Sequence, residues 1–197
     1  MSEAVIVDSG GANLASLQYA LERLGARAHV SHDPATLASA PRVILPGVGA
    51  AADAMQRLTR HGLTELLPTL TQPVLGICLG MQLLFDASEE GPADCLGVLS
   101  GDVQRIANAP GRPVPHMGWN QLTPLRADPL LEGIMAGDYA YYVHSYAAPV
   151  GPATLASVEY GGALSAAVRR GNFWGTQFHP ERSAGTGARL LGNFLRL

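Results

Sequence analysis

The chain has 197 residues, 47% of them hydrophobic and 15% charged, with a formal net charge of −3. That balance suits one α/β domain with a sizeable core, and it excludes wholesale disorder and a basic nucleic-acid-binding surface. All 13 basic residues are Arg. The two cysteines, Cys78 and Cys95, form no CxxC and imply no disulfide framework, and the six histidines show no metal-ligand spacing, so neither a metal nor another cofactor is implied. The start lacks a basic segment leading into a signal peptide, and no apolar run approaches the ~18 residues of a membrane span. The expectation is a cytoplasmic protein in a reducing compartment.

In chain order, Ala4–Asp8 reads as a buried strand, and Asn13–Leu24 as a helix presenting Leu14, Leu17, Leu21 and Leu24 on one face. Strands follow at Ala26–Val30 and Arg42–Leu45, then helical stretches at about 50–60 and 62–70, then the strand Pro73-Val74-Leu75 running into Cys78. Alternation of this kind predicts a parallel sheet whose loops and ligands gather at the strands' carboxyl ends, where Asp8, Pro46 and Cys78 all fall. After Gly91 the pattern becomes strand-rich, with segments at Cys95–Ile106, Trp119–Leu125, Tyr139–Ala147, Ala153–Tyr160, Leu164–Arg169 and Phe173–Phe178. These predict antiparallel additions that extend the sheet at its edge. A last helix at about 186–197 buries Leu190, Leu191, Phe194 and Leu195, and no repeat or linker divides the chain.

Three segments carry chemistry. Cys78 lies at the centre of Gly76-Ile77-Cys78-Leu79-Gly80, between a strand and the run Met81-Gln82-Leu83-Leu84-Phe85. A nucleophile on a sharp strand-to-helix turn is strained and needs neighbours without bulk, which Gly76 and Gly80 provide. The following helix would aim free N–H groups and its positive dipole end at the sulfur, and the Leu79 amide would face an oxyanion. Taken alone, the pentapeptide equally suits a buried structural cysteine. Phe178-His179-Pro180-Glu181 supplies the missing partners: two residues apart on an extended chain, Glu181 reaches one ring nitrogen of His179 and leaves the other free to take a proton. Pro46-Gly47-Val48-Gly49 can turn the Val48 N–H inward as a second oxyanion donor, although the tetrapeptide by itself also suits an ordinary turn. Gly10-Gly11-Ala12-Asn13 lacks both the GxGxxG pattern and a Walker lysine, so nucleotide binding is not expected.

Cys78-Leu79-Gly80-Met81-Gln82, His179-Pro180-Glu181 and Pro46-Gly47-Val48-Gly49 together resemble the triad-type (class I) glutamine amidotransferases. Pro115-His116-Met117-Gly118-Trp119-Asn120 and Tyr142-Val143-His144-Ser145-Tyr146 are similar to one branch of that family. Its members form a heterodimer with a (β/α)8-barrel cyclase that makes imidazole glycerol phosphate in histidine biosynthesis. The resemblance runs from the first strand to the last helix. It implies a three-layer, flavodoxin-like fold with a mostly parallel central sheet and an antiparallel extension, as one domain over residues 1–197. It also implies a glutamine substrate, with Cys78 as nucleophile, His179 as base and Glu181 as its orienting carboxylate. Val48 and Leu79 would be the oxyanion donors, and Gly49, Gln82, Glu90, Ser145 and Tyr146 the substrate contacts. Asn13, Met117, Trp119 and Arg182 would face the partner. In the family the Val48 amide is thought to turn inward only when the partner's ligand is bound.

The chain departs from the family's frequent residues at Arg182, at Ala50-Ala51-Ala52 and at Ser9 and Ala12. A free-standing cysteine hydrolase such as a γ-glutamyl hydrolase, a glutaminase of another pathway, and a non-catalytic module of the same fold are the competing readings.

Overall fold

The computed structural model describes residues 2–9 and 14–197, so the Asn13 expectation lies outside the described residues. The first half alternates strand and helix: β1 (Glu3–Val7), α1 (Leu14–Arg23), β2 (Arg27–Ser31), α2 (Pro34–Ser39), β3 (Val43–Gly47), α3 (Ala51–Arg60), α4 (Leu63–Leu66), β4 (Val74–Cys78) and α5 (Leu79–Gln82). The second half is strand-rich: β5 (Ala87–Ser88), β6 (Ala93–Asp94), β7 (Asp102–Arg105), β8 (His116–Gln121), β9 (Thr123–Pro124), β10 (Tyr139–His144), β11 (Tyr146–Ala147), β12 (Thr154–Glu159), β13 (Ala163–Arg170) and β14 (Phe173–Thr176). A 3-10 turn over Pro180–Arg182 then leads into α6 (Ala184–Phe194).

The main sheet has the order β2-β1-β3-β4-β14-β13-β12-β9. Its first five strands are parallel and the last three antiparallel. The parallel part follows the flavodoxin-like winding, in which ligands sit outside the carboxyl ends of the strands. Alternation along β1 shows why there are three layers. Ala4 and Ile6 face a core shared with α1 and α6, whereas Val5 and Val7 face a second core with α2, α3 and α4.

The structure corrects several expectations after Cys78. The segment Cys95–Ile106 is not one strand: only Asp102–Arg105 pairs, because Leu96, Gly97 and Leu99 donate their backbone N–H groups to carbonyls of residues 83–85 instead. The strands after Gly91 do not all extend the main sheet: β8 and β10 form a separate antiparallel pair, and β11, β7, β5 and β6 a small four-stranded sheet. Phe173–Phe178 is not an edge addition, since β14 lies parallel beside β4 in the sheet's interior and is buried throughout. Tyr139–Ala147 is interrupted at Ser145. The helix after Cys78 is a single turn, so any electrostatic help to the sulfur comes from its first free amides and not from a long macrodipole. Helix α2 was not expected, yet its start carries a plain signal: Asp33 accepts from the Thr36 N–H at 2.8 Å and Pro34 opens the first turn.

Candidate active site

Parallel pairing sets Gly47 of β3 opposite Cys78 of β4, so the Pro46–Gly49 loop and the elbow emerge side by side. Cys78 has φ 54° and ψ −113°, an unfavourable conformation for a residue with a Cβ. The surrounding packing imposes it. A Cβ added to Gly76 would lie 2.6 Å from the Gly80 carbonyl oxygen, and one added to Gly80 would lie 1.7 Å from the Leu45 carbonyl oxygen. Both glycines are therefore required by close backbone approach around Cys78.

His179 reaches the same rim from β14, because β14 is the strand next to β4. Its backbone N–H donates to the Tyr141 carbonyl at 3.0 Å, and the Ser183 hydroxyl donates to its carbonyl at 2.6 Å. Helix α6 presses on the turn that follows: a Cβ on Gly187 would stand 1.8 Å from the Pro180 carbonyl oxygen. The ring Nδ1–H donates to Glu181 Oε1 at 2.8 Å, which orients the ring and points Nε2 away from Glu181. Burial disfavours the imidazolium, but the nearby Cys78 sulfur and the Glu181 carboxylate outweigh it and push the ring up to about 10. Nε2 itself is buried without a hydrogen-bond partner, so the Cys78 effect is one of close approach and not of a closed bond. The sulfur's contacts are the Val143 carbonyl at 3.9 Å and Gln177 Nε2 at 3.8 Å.

Cys78 and His179 line one cavity of about 330 Å³. Val48, Gly49, Leu79, Gln82, Glu90, Ser145 and Tyr146 line it too, joined by Pro115, Val143 and His144. Every residue expected at the nucleophile, base, oxyanion or substrate position therefore converges here, and Glu181 stands behind His179. Glu90 is half-buried, and burial raises its carboxyl above the usual range while the Ala51 N–H partly offsets the shift. Gln82, expected as a substrate contact, spends its amide on protein partners, donating to the Tyr146 carbonyl at 2.8 Å and to Gln177 Oε1 at 2.9 Å. A second cavity of about 480 Å³ shares Val48, Val143 and His179 with the first and continues past Glu181 and Arg182. The larger opening at Pro124–Ile134, about 730 Å³, holds none of these residues.

Of the residues expected to face a partner, Met117 and Trp119 lie on β8, and Arg182 lies on the 3-10 turn that packs against β10. Met117 and Trp119 are exposed, alternating with buried His116, and Tyr139 is exposed beside them. Trp119 meets the Tyr141 ring edge-on, and the Arg182 guanidinium lies 4.3 Å above that ring. Sequence reasoning missed Gln177. It immediately precedes the motif Phe178-His179-Pro180-Glu181, and parallel pairing of β14 with β4 is what brings it to the sulfur. Among the described residues no group of three or more His, Cys, Asp or Glu is arranged to hold a metal ion.

A strained thiol, an oriented imidazole and adjacent loop amides in one cavity are the parts of an acyl-transfer enzyme. The chain belongs to the class-I glutamine amidotransferase family, whose pattern it matches over residues 5–197. Solved structures agree on the fold: the PurLQS structure from Thermotoga maritima superposes with TM-score 0.75 at 20% identity, covering 100% of this chain and 99% of that one. A structure described as a glutamine amidotransferase gives TM-score 0.75 at 23% identity, over 98% of this chain and 97% of that one. Nearer relatives are more particular. The imidazole glycerol phosphate synthase subunit HisH of Xanthomonas euvesicatoria pv. vesicatoria is 56% identical over 100% of this chain and 98% of its own length. The protein of that name from Xylella fastidiosa (strain Temecula1) is 55% identical over the same shares.

Proposed function

We propose that this chain is the glutaminase subunit of an imidazole glycerol phosphate synthase. It hydrolyses L-glutamine to glutamate and ammonia and delivers the ammonia to a (β/α)8-barrel cyclase that makes imidazole glycerol phosphate and aminoimidazole carboxamide ribotide. The observation that carries the reading is the pairing of His179 Nδ1 with Glu181 at 2.8 Å while Nε2, without a partner, shares a cavity with the Cys78 sulfur. Full-length likeness to proteins named as subunits of that synthase supports the pathway and the need for a partner. The whole chain acts as one amidotransferase domain, in the cytoplasm, as half of a heterodimer.

The chemistry follows from the residues. Cys78 gives its proton to His179 Nε2 and its sulfur attacks the side-chain carbonyl carbon of glutamine. The amides of Leu79 and Val48 stabilise the oxyanion of the tetrahedral intermediate. His179 returns the proton to the departing nitrogen, ammonia leaves, and a glutamyl thioester remains on Cys78. A water that gives its proton to His179 then attacks the thioester and releases glutamate. Glu181 holds the ring in register and offsets its positive charge throughout. Gly49, Ser145 and Tyr146 border the amino-acid end of the substrate, with Glu90 positioned for the α-ammonium and Gln82 holding Tyr146 in place.

The partner docks on Met117, Trp119 and Arg182, an exposed apolar and cationic patch that borders the second cavity through Arg182. Ammonia formed at Cys78 leaves on the side of that cavity, which shares Val48, Val143 and His179 with the first. Ammonia release from L-glutamine, measured with and without the barrel subunit and its ribotide, tests the assignment. The expected result is stimulation by orders of magnitude. A full rate from the isolated chain would favour a free-standing hydrolase, and no release under any condition would leave only a binding module.

A further inference from the structure

Gln177 lies fully buried beside the Cys78 sulfur, and the hydrogen bonds around it fix which end of its amide faces that sulfur. The Tyr146 carbonyl can only accept. Gln82 approaches it at 2.8 Å with the same atom that meets Gln177 at 2.9 Å, so that atom is the Gln82 amide nitrogen, donating one hydrogen to each. The Gln177 atom receiving the second hydrogen is then its oxygen, and its NH2 group is left toward Cys78 Sγ at 3.8 Å. The other lone pair of the Tyr146 carbonyl is taken by His144 Nδ1 at 2.8 Å, which makes that nitrogen the protonated one. His144 Nε2 must then accept, and His116 Nδ1–H supplies the hydrogen at 3.0 Å. His116 Nε2 accepts in turn from Asn120 at 3.2 Å.

From this chain of donors and acceptors we infer that Gln177 is a further catalytic residue, its amide N–H donating to the Cys78 sulfur and stabilising the sulfur's negative charge when the proton passes to His179. Gln82 is the residue that positions it. The inference rests on the glutaminase reading for its role in turnover, but the N–H···S contact belongs to the resting protein. The contact is long in the thiol form and tightens when the sulfur becomes anionic, because hydrogen bonds to charged acceptors are shorter and stronger than neutral ones.

The test uses the full chain carrying Cys95→Ser, so that Cys78 is the one thiol present, and compares Gln177 with Gln177→Leu and Gln177→Glu. The readout is the rate of alkylation by iodoacetamide against pH, which needs neither glutamine nor the partner. A failure of the glutaminase reading would therefore not disguise the result. His179 with Glu181, His144 with His116, Glu90 and Tyr146 are the ionisable groups at and behind the cavity wall around the sulfur, and all are retained. Leucine fills the space without donating. Glutamate still accepts from Gln82 but turns an acceptor oxygen toward the sulfur. The expected result is alkylation at pH 7 about tenfold slower in Gln177→Leu and slower again in Gln177→Glu, with each pH profile displaced to higher pH. In the complex with the barrel subunit, kcat falls while the KM for glutamine changes little. Folded variants with unchanged alkylation profiles would overturn the assignment. Failure of both variants to fold would also overturn it, by showing that the amide serves the core instead.

Discussion

Replacing Gly80 by alanine puts a methyl group where the backbone of the neighbouring strand already is. The new Cβ would stand 1.7 Å from the Leu45 carbonyl oxygen, 1.3 Å short of the 3.0 Å below which such contacts are essentially never found. Neither partner is the flexible end of a side chain, so β3 and the elbow must separate by about that amount. Such an opening stretches hydrogen bonds of about 2.9 Å beyond 4 Å, where they no longer count. It falls beside Leu45↔Gly76, Pro46↔Ile77 and Gly47↔Cys78, the register that holds the Pro46–Gly49 loop against Cys78. Overpacking of this kind destabilises by about 1–3 kcal/mol, and buried backbone groups left unpaired add about 1–3 kcal/mol more. A displacement near 1 Å at a reacting centre lowers the rate by roughly a hundredfold. Denaturant unfolding of the isolated chain and glutaminase turnover in the complex measure the two effects separately. Gly185→Ala in α6, where the added Cβ meets nothing within 4 Å, is the control and should leave turnover unchanged. A Gly80→Ala variant as stable and as active as the parent would refute the idea that close backbone approach builds the elbow.

Glu181→Gln keeps the hydrogen bond to His179 Nδ1 but removes the negative charge. Turnover in the complex should fall by roughly 10²–10⁴, and the ring, now near 10, should lose its proton at lower pH; an unchanged pH–rate profile would exclude the carboxylate from this role. Burial holds both His116 and His144 down at about 4, against an ordinary 6.5. The unfolded chain therefore binds more protons between those values, and stability is lost as the pH falls through that window, by roughly 3 kcal/mol for each ring. Melting temperatures should decline from pH 6.5 to 4 and decline less steeply in His116→Gln, whereas equal slopes would mean that carboxylates alone govern acid unfolding. Trp119→Ala should weaken binding of the barrel subunit by about 2 kcal/mol, roughly thirtyfold, when titrated calorimetrically. It should leave the melting temperature of the isolated chain within a degree or two, because the side chain is half exposed; unaltered affinity would remove this face from the interface.

The legible part of the fold was the part written in local periodicity. Strands β1, β3 and β4 are apolar runs buried on both faces, and their ends carry the loops that build the site, so Pro46–Gly49 and the Cys78 elbow could be placed on one rim from spacing alone. The second half was harder because strand composition does not say which strand pairs with which. Phe173-Trp174-Gly175-Thr176 reads as a strand from its residues, but its insertion beside β4 depends on chain closure across a hundred intervening residues. Gln177 was missed for that reason: nothing within two residues of it indicates that its side chain ends beside a sulfur. Gln82 shows the opposite limit. Its place in the site was evident, yet only coordinates reveal that its amide is committed to Tyr146 and Gln177.

The arrangement at β10 explains how a docking surface can bear on the chemistry. Val143, whose carbonyl faces the Cys78 sulfur at 3.9 Å, pairs across the two-stranded ribbon with exposed Met117, and His144 pairs with His116. Tyr141, two residues earlier on the same strand, receives the His179 N–H on its carbonyl and the Arg182 guanidinium on its ring. One strand therefore touches Cys78, His179 and the exposed side chains of β8 at once. The sulfur lies 3.9 Å from the Val143 carbonyl and His179 Nε2 has no hydrogen-bond partner, so proton exchange between sulfur and ring requires the two to close on one another. If the proposed partner binds the ribbon, a displacement of β8 and β10 reaches Val143 and Tyr141 directly, because both lie on β10. Binding that favours a state in which sulfur and ring meet would then raise that state's population by the difference in affinity for the two states.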